Sequence, residues 1–239
     1  SFGVNAGVVT ISGTPSSDIT ASTSTTYTVT TTGGCTADTL QGTITVEPDH
    51  EMSLTSGSIS PTLCEGDPIT DIIFTVAGGA TSATVPNLPT GLAQSFNNGT
   101  KQLTITGTPS VSISAQTIVQ FDVVSQGNGC DAITTPVSIT INPDDEVSLT
   151  SSNALQTICE GDAISDIDFT VSEGAAGLPI LVGAPSGINI SLVAGPLYRL
   201  SGTINENIGA SQTYNFDVVS QGNGCGDISS PVSITVNPA

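Results

Sequence analysis

The sequence predicts an all-β chain of tandem sandwich repeats, each 95 residues long. Three observations predict it: long segments recur at one fixed offset, short runs alternate apolar with polar residues between turn residues, and the composition suits a pleated surface. Thr, Ser, Val and Ile dominate, Trp is absent, and the 26 Gly and 14 Pro are enough to punctuate many short strands. No segment reads as a helix of useful length.

The repeat comes first. Leu-Cys-Glu-Gly-Asp at 63–67 returns as Ile-Cys-Glu-Gly-Asp at 158–162, which sets Cys64 and Cys159 95 residues apart. The ten residues 121–130, ending in Gly-Asn-Gly-Cys, recur unchanged at 216–225, and Val-Ser-Ile-Thr-Ile-Asn-Pro at 137–143 recurs with one substitution at 232–238. The first residues fit the same frame: Cys35 stands 95 before Cys130, and Gly-Thr-Ile-Thr-Val-Glu-Pro at 42–48 stands 95 before 137–143. Residues 1–48 are therefore expected to be the C-terminal half of a truncated repeat, followed by full repeats at 49–143 and 144–239.

Within 49–143 the alternation predicts strands near 51–55, 70–76, 82–85, 92–96, 102–107, 117–124 and 136–141. Period-two patterning turns Phe121 and Val123 to one face, and Val137, Ile139 and Ile141 likewise. The expected inward set is Ile72, Phe74, Val76, Leu103, Ile105, Phe121, Val123 and Ile139, with Ile167, Phe169, Val171, Leu200, Phe216, Val218 and Ile234 as counterparts. Asn128-Gly129 is a two-residue hairpin signal. About seven strands in a repeat of this size is the scale of an immunoglobulin-like sandwich.

The five cysteines follow the repeat. Cys64 and Cys130 are 66 residues apart, as are Cys159 and Cys225. The expectation is one disulfide per repeat, Cys64–Cys130 and Cys159–Cys225, with Cys35 joined to a partner outside this chain. A zinc site needs closely paired ligands, which each repeat lacks. Structural disulfides place the chain in an oxidising compartment.

Taken together, Cys-Glu-Gly-Asp at 64–67, Phe-Thr-Val-Ala-Gly-Gly-Ala-Thr at 74–81, Leu-Pro-Thr-Gly-Leu at 88–92, Leu-Thr-Ile-Thr-Gly-Thr-Pro at 103–109 and the Gly-Asn-Gly-Cys ending resemble the PKD-like, immunoglobulin-like repeats of giant Bacteroidetes surface proteins. The resemblance spans the whole chain, although the Trp and Gly-Asp-Gly segment of the best-known PKD repeats are absent. It implies export by type IX secretion, a location outside the cell or on its surface, and service in adhesins, those of gliding motility included, or in filaments. Asp38-Thr39-Leu40 resembles the O-glycosylation sequon of the same bacteria and makes Thr39 a candidate glycan acceptor; the plainer reading is a chance tripeptide in a Thr-rich loop.

Charge and inventory exclude other classes. With 21 acids against two bases, Lys101 and Arg199, the net charge is −19, so no basic stripe exists to neutralise nucleic-acid phosphates. No apolar run is long enough to insert into a membrane as a helix. His50 is the sole histidine, so no Ser-His-Asp set repeats, and the chain is read as no enzyme. Asp122 and Asp217 recur within strands and are expected to face water. Acids cluster where repeats join: Asp49 and Glu51, then Asp144, Asp145 and Glu146. These are candidate Ca²⁺ ligands, Ca²⁺ being the one cofactor considered and none being required; the plainer reading is solvated acids that serve solubility. Glu65, Asp67, Glu160 and Asp162 follow the first cysteines.

The leading functional expectation is a stalk or spacer in a giant secreted adhesin or filament, whose partners are the neighbouring repeats and, through self-association, other copies. The alternative is a carbohydrate-binding module of a secreted multidomain enzyme. Tyr198 is its one plausible aromatic platform, and the preceding repeat has no counterpart.

Overall fold

A computed structural model of the chain describes residues 1–15, 19–175, 177–222, 224–226 and 228–239. All regular structure among the described residues is β-strand, which bears out the all-β reading.

The first 48 residues form two hairpins. β1 (Phe2–Asn5) and β2 (Val8–Ile11) pair around Ala6 and Gly7, whose φ values of 50° and 82° supply the two left-handed positions of a tight two-residue turn. β3 (Thr23–Thr30) and β4 (Thr39–Val46) pair along their whole length. Phe2, Val4, Val8, Leu40 and Ile44 all stand exposed on these hairpins.

Eight strands follow: β5 (His50–Ser56), β6 (Thr62–Cys64), β7 (Ile72–Gly78), β8 (Ala80–Thr84), β9 (Leu92–Asn97), β10 (Gln102–Gly107), β11 (Thr117–Gly127) and β12 (Thr134–Asn142). They form sheets of order β5-β7-β10-β9 and β6-β12-β11-β8. Eight more repeat the pattern: β13 (Asp145–Leu149), β14 (Leu155–Cys159), β15 (Ile167–Glu173), β16 (Ile180–Val182), β17 (Ile188–Ala194), β18 (Leu197–Gly202), β19 (Gln212–Val219) and β20 (Ser229–Asn237), in sheets β13-β15-β18-β17 and β14-β20-β19-β16. This is the four-plus-three order of an immunoglobulin-like sandwich, with the first strand split so that its second piece joins the opposite sheet. The split piece, β6 or β14, pairs parallel to the last strand, with Cys64 opposite Asn142 and Cys159 opposite Asn237.

All seven expected strands of 49–143 are present; β6, three residues long and without alternation, was not expected. The β11–β12 connection also differs. Neither Asn128 nor Gly129 takes a positive φ, and the connection runs over 128–133 instead of closing on a two-residue turn. Asn128 uses its side chain: Oδ1 accepts the Cys130 N–H at 3.0 Å, a local turn that competes with a tight hairpin.

By compactness the chain divides into two units: residues 1–59, 69–107 and 120–137, and residues 60–68, 108–119 and 138–239. These cuts do not coincide with the expected repeat borders at 48/49 and 143/144. In the first unit Ile72, Phe74, Val76, Leu103, Ile105, Phe121 and Val123 are buried, and β7 sets Phe74 opposite Leu103 on β10. In the second, Ile167, Phe169, Val171, Leu200, Phe216, Val218 and Ile234 belong to one core cluster. Ile139 is buried as well, so every residue of the expected inward set is interior. Burying one such Phe or Ile contributes roughly 1.5–3 kcal/mol.

Candidate functional site at the repeat junctions

Cys-Glu-Gly-Asp is a turn. The Asp67 N–H donates to Cys64 O and the Asp162 N–H to Cys159 O, each at 3.1 Å, while Gly66 and Gly161 sit at φ 82° and 87°. A left-handed third residue in a four-residue turn is what glycine supplies at least cost. The motif ends β6 and β14 and presents the preceding cysteine at the end of the strand.

Cys64 is bonded to Cys225, with Cα atoms 5.3 Å apart across 161 residues of chain, while Cys35, Cys130 and Cys159 are free thiols. The expected pairs Cys64–Cys130 and Cys159–Cys225 are therefore corrected. The reason is legible in β20. Cys159 stands opposite Asn237 at its end, whereas Cys225 precedes its first residue, Ser229. The nine residues of β20 span roughly 30 Å. A disulfide tolerates no more than about 7 Å between Cα atoms.

In the first unit a polar clamp holds the segment 48–50. Pro48 and His50 are buried while Asp49 faces water. The Asn128 amide donates to Pro48 O at 2.8 Å, and the Gly79 N–H donates to Asp49 O at 2.8 Å. His50 Nδ1 and Ser125 Oγ share a buried hydrogen bond of 2.8 Å, and Ser125 Oγ also accepts the Ile133 N–H at 2.8 Å. Gly79 admits this packing because a Cβ there would lie 2.2 Å from Pro48 O and 2.3 Å from Asn128 Nδ2. Sequence reading placed His50 at a junction and Asn128 in a turn; their joint hold on the linker carried no local signal.

In the second unit the counterparts form a variant of the clamp. Pro143 is buried, the Gly174 N–H donates to Asp144 O at 3.1 Å, and the Asp145 N–H donates to Cys225 O at 3.3 Å. Asp145 occupies the position of His50 and is equally buried, but its carboxylate oxygens have no hydrogen-bond partner among the described residues. Ser220, the counterpart of Ser125, accepts the Ile228 N–H at 2.9 Å.

The candidate Ca²⁺ ligands do not converge. Asp145 and Glu146 are neighbours on β13 and point to opposite faces. Glu146 is exposed and accepts hydrogen bonds from Ser172 at 2.7 Å and Ser148 at 3.0 Å, which hold its carboxyl below the usual range. Asp49, Glu51 and Asp144 are exposed, and no group of three or more metal-binding side chains exists among the described residues. Glu65, Asp67, Glu160 and Asp162 belong to the two turns already described. Asp122 is exposed and Asp217 half-buried.

Thr39 opens β4 fully exposed, its N–H donating to Asp38 Oδ1 at 2.9 Å. Tyr198 is half-buried against the second core, and its hydroxyl donates to Gly177 O at 2.9 Å, so this ring is not a free platform. Arg199 grips Asp168 with two hydrogen bonds, 2.7 and 2.9 Å, and reaches Asp166 at 3.0 Å. Lys101 donates to Thr81 O at 3.4 Å.

No model of a protein family matches the chain, and no curated protein matches it in sequence. Among solved structures it is similar to an I-band fragment from titin, with a TM-score of 0.50 and 10% identity over 78% of this chain and 66% of that one. It is also similar to an E-to-A variant of a three-domain titin fragment, at 0.49 with 10% identity over the same shares, and to cadherin domains 1–4 of protocadherin gamma B7, at 0.42 with 14% identity over 91% of this chain and 57% of that one. The chain thus spans about two thirds of the length of the titin fragments it matches. The fragment at 0.50 shows the tandem immunoglobulin-like fold; at 10% identity it shows nothing of partner or activity.

Proposed function

We propose that the chain is a run of spacer repeats in the stalk of an extracellular adhesin or filament, with borders at 49–143 and 144–239 and residues 1–48 as the last four strands of a further repeat. One observation supports this most: at both junctions the segment after the last strand is partly buried and hydrogen-bonded by the sandwich that follows it. Pro48, Asp49 and His50 are held by Asn128, Gly79 and Ser125 in turn, and Asp144 and Asp145 by Gly174 and Cys225. Each sandwich thus fastens the segment that enters it from the preceding repeat, which suits a spacer.

The disulfide supports an oxidising, extracellular setting. The resemblance to surface proteins exported by type IX secretion supplies the finer reading, a Bacteroidetes adhesin or gliding filament, in which an exposed Thr39 is available for O-glycosylation. The carbohydrate-module reading loses its aromatic candidate, because the Tyr198 hydroxyl is engaged by Gly177 O and its ring packs on the core.

A swap experiment tests the proposal. Cells carrying the full-length protein with these repeats deleted should export it and lose attachment under flow, and an equal number of unrelated immunoglobulin-like repeats in their place should restore attachment. If the unrelated repeats are exported and fail to restore it, the original repeats carry a ligand site and the spacer reading is wrong.

A further inference from the structure

Cys64 and Cys225 belong to different sequence repeats: Cys64 follows the first strand of one, and Cys225 lies in the last hairpin connection of the next. We propose that this bond is one rung of an inter-repeat disulfide ladder. Cys159 pairs with the counterpart of Cys225 one repeat onward, and Cys130 and Cys35 each pair with the counterpart of Cys64 one repeat back. Every junction is then closed by a covalent bond in addition to the backbone.

The geometry at two of the three free cysteines, Cys159 and Cys130, supports the extension, and Cys35 joins it as the counterpart of Cys130. Cys64 stands opposite Asn142 on the parallel pair β6–β12, and its partner Cys225 lines the same cleft as Asn142. One repeat onward, Cys159 stands opposite Asn237 in the same register, at the end of the same Cys-Glu-Gly-Asp turn, with its thiol exposed. One repeat back, Cys130 Sγ lies 3.9 Å from the carbonyl of Glu47, the residue 95 before Asn142. Cys130 therefore has the place beside β4 that Cys225 has beside β12. A cysteine on a strand parallel to β4, opposite Glu47, would complete the same rung. Each rung forms when two thiols lose two electrons and two protons to an external disulfide, which is reduced to two thiols in exchange.

The ladder has a mechanical consequence that bonds within each repeat lack. Bonds of the type Cys64–Cys130 leave the 29-residue stretch from Cys130 to Cys159 unbridged at every junction, so a single cut there parts the molecule. Bonds of the type Cys64–Cys225 close overlapping loops of 161 residues, so every backbone bond lies inside at least one loop. Under tension the shortest covalent path then contains 29 backbone residues for every two repeats, roughly 100 Å of extensible chain. Bonds within repeats leave that length in every single repeat.

The inference rests on the tandem-repeat fold and goes beyond the spacer reading. The 239-residue chain, exported to an oxidising compartment, is alkylated without reduction and mapped by mass spectrometry. The expected result is alkylation at Cys35, Cys130 and Cys159, with Cys64 joined to Cys225. Finding Cys64–Cys130 and Cys159–Cys225, or any bond between Cys130 and Cys159, overturns it. A site-specific protease sequence inserted between Pro143 and Asp144 gives a second readout: after cleavage the halves should stay together on a non-reducing gel and separate on reduction, and separation without reductant overturns the proposal. In the full-length protein purified from its source, the peptide bearing Cys159 should be linked to the hairpin peptide of the following repeat; a free Cys159 thiol there, or a bond to Cys225, overturns the ladder. Failure of the swap experiment with this map intact would sink the spacer reading and leave the ladder standing.

Discussion

His50 and Ser125 meet at 2.8 Å in the interior of the first unit, 75 residues apart in sequence. Removing the imidazole deletes one end of a buried hydrogen bond and leaves a cavity beside Ser125. We expect His50→Ala to cost about 1–3 kcal/mol in chemical denaturation. Ser125→Ala should cost as much or more, because the Ile133 N–H loses its acceptor too. The double variant should fall short of the two losses added together, since both remove one interaction. Full additivity would mean that the pair does not act as a unit.

Gly79 offers a sharper test of the same clamp. A Cβ there meets Pro48 O and Asn128 Nδ2 well inside contact distance, whereas a Cβ at Gly129, in the neighbouring connection, meets nothing within 4 Å. Gly79→Ala should destabilise by about 1–3 kcal/mol, the usual range for overpacking. Gly129→Ala should stay within about 0.5 kcal/mol of the parent. Equal effects would place the linker elsewhere.

The inward faces were legible in the sequence, and the pairing of cysteines was not. Leu103 and Phe121 alternate with polar neighbours, and period two leaves one way to bury them. A tandem repeat hides which copy a cysteine bonds to: the 66-residue separation recurs in both full repeats, and the 161-residue separation of the bonded pair is longer by one repeat. What decides is that β14, like β6, runs parallel to the last strand, so Cys159 lies at the far end of β20 from Cys225. Parallel strands of three to five residues carry no alternation by which to find them. The clamp was hidden for a related reason, because Asn128 meets Pro48 across 80 residues with no shared motif.

Arg199 and Asp168 give a dependence on pH. The two hydrogen bonds from Arg199, more than its charge, hold the Asp168 carboxyl below its ordinary value, against a smaller opposing effect of desolvation. A carboxylate with a depressed folded pKa adds stability that is complete above its unfolded pKa and is lost as pH falls through the folded one. The parent should therefore lose stability more steeply than Arg199→Met below about pH 4. The difference should shrink in high salt, because the pair is open to solvent. Identical acid titrations of the two proteins would show that the pair adds nothing.

The junction acids lead to an expectation about calcium. Asp145 is buried, Glu146 is held by two serines, and Asp49, Glu51 and Asp144 face water separately. An ion that needs six to eight oxygens finds no convergent set in them. Thermal unfolding of the chain should be the same in millimolar calcium and in chelator. A rise in Tm with calcium, abolished by Asp144→Asn, would show that these acids gather around the ion.

The last expectation concerns β1–β4, whose apolar residues are exposed where their counterparts are interior. Val9 and Ile11 correspond to Leu103 and Ile105 through the shared Ile-Ser/Thr-Gly-Thr-Pro motif, and Ile44 stands 95 residues before Ile139. Ile44 is 44% exposed and Ile139 fully buried, although the two sit at the same place in the same strand sequence. The difference is what surrounds them: among the described residues β1–β2 and β3–β4 are two-stranded sheets, whereas Ile139 lies in the four-stranded sheet β6-β12-β11-β8. In this chain Ile44→Ala should therefore change stability by less than about 0.5 kcal/mol, while Ile139→Ala should cost about 2–5 kcal/mol. Fusing a copy of residues 49–94 ahead of Ser1, the counterpart of Ser95, should supply strands like β5 through β8. It should bring the Ile44→Ala cost toward that of Ile139→Ala and quench the binding of a hydrophobic dye to the parent chain. If the fusion leaves both unchanged, residues 1–48 are not the closing half of a sandwich of this type.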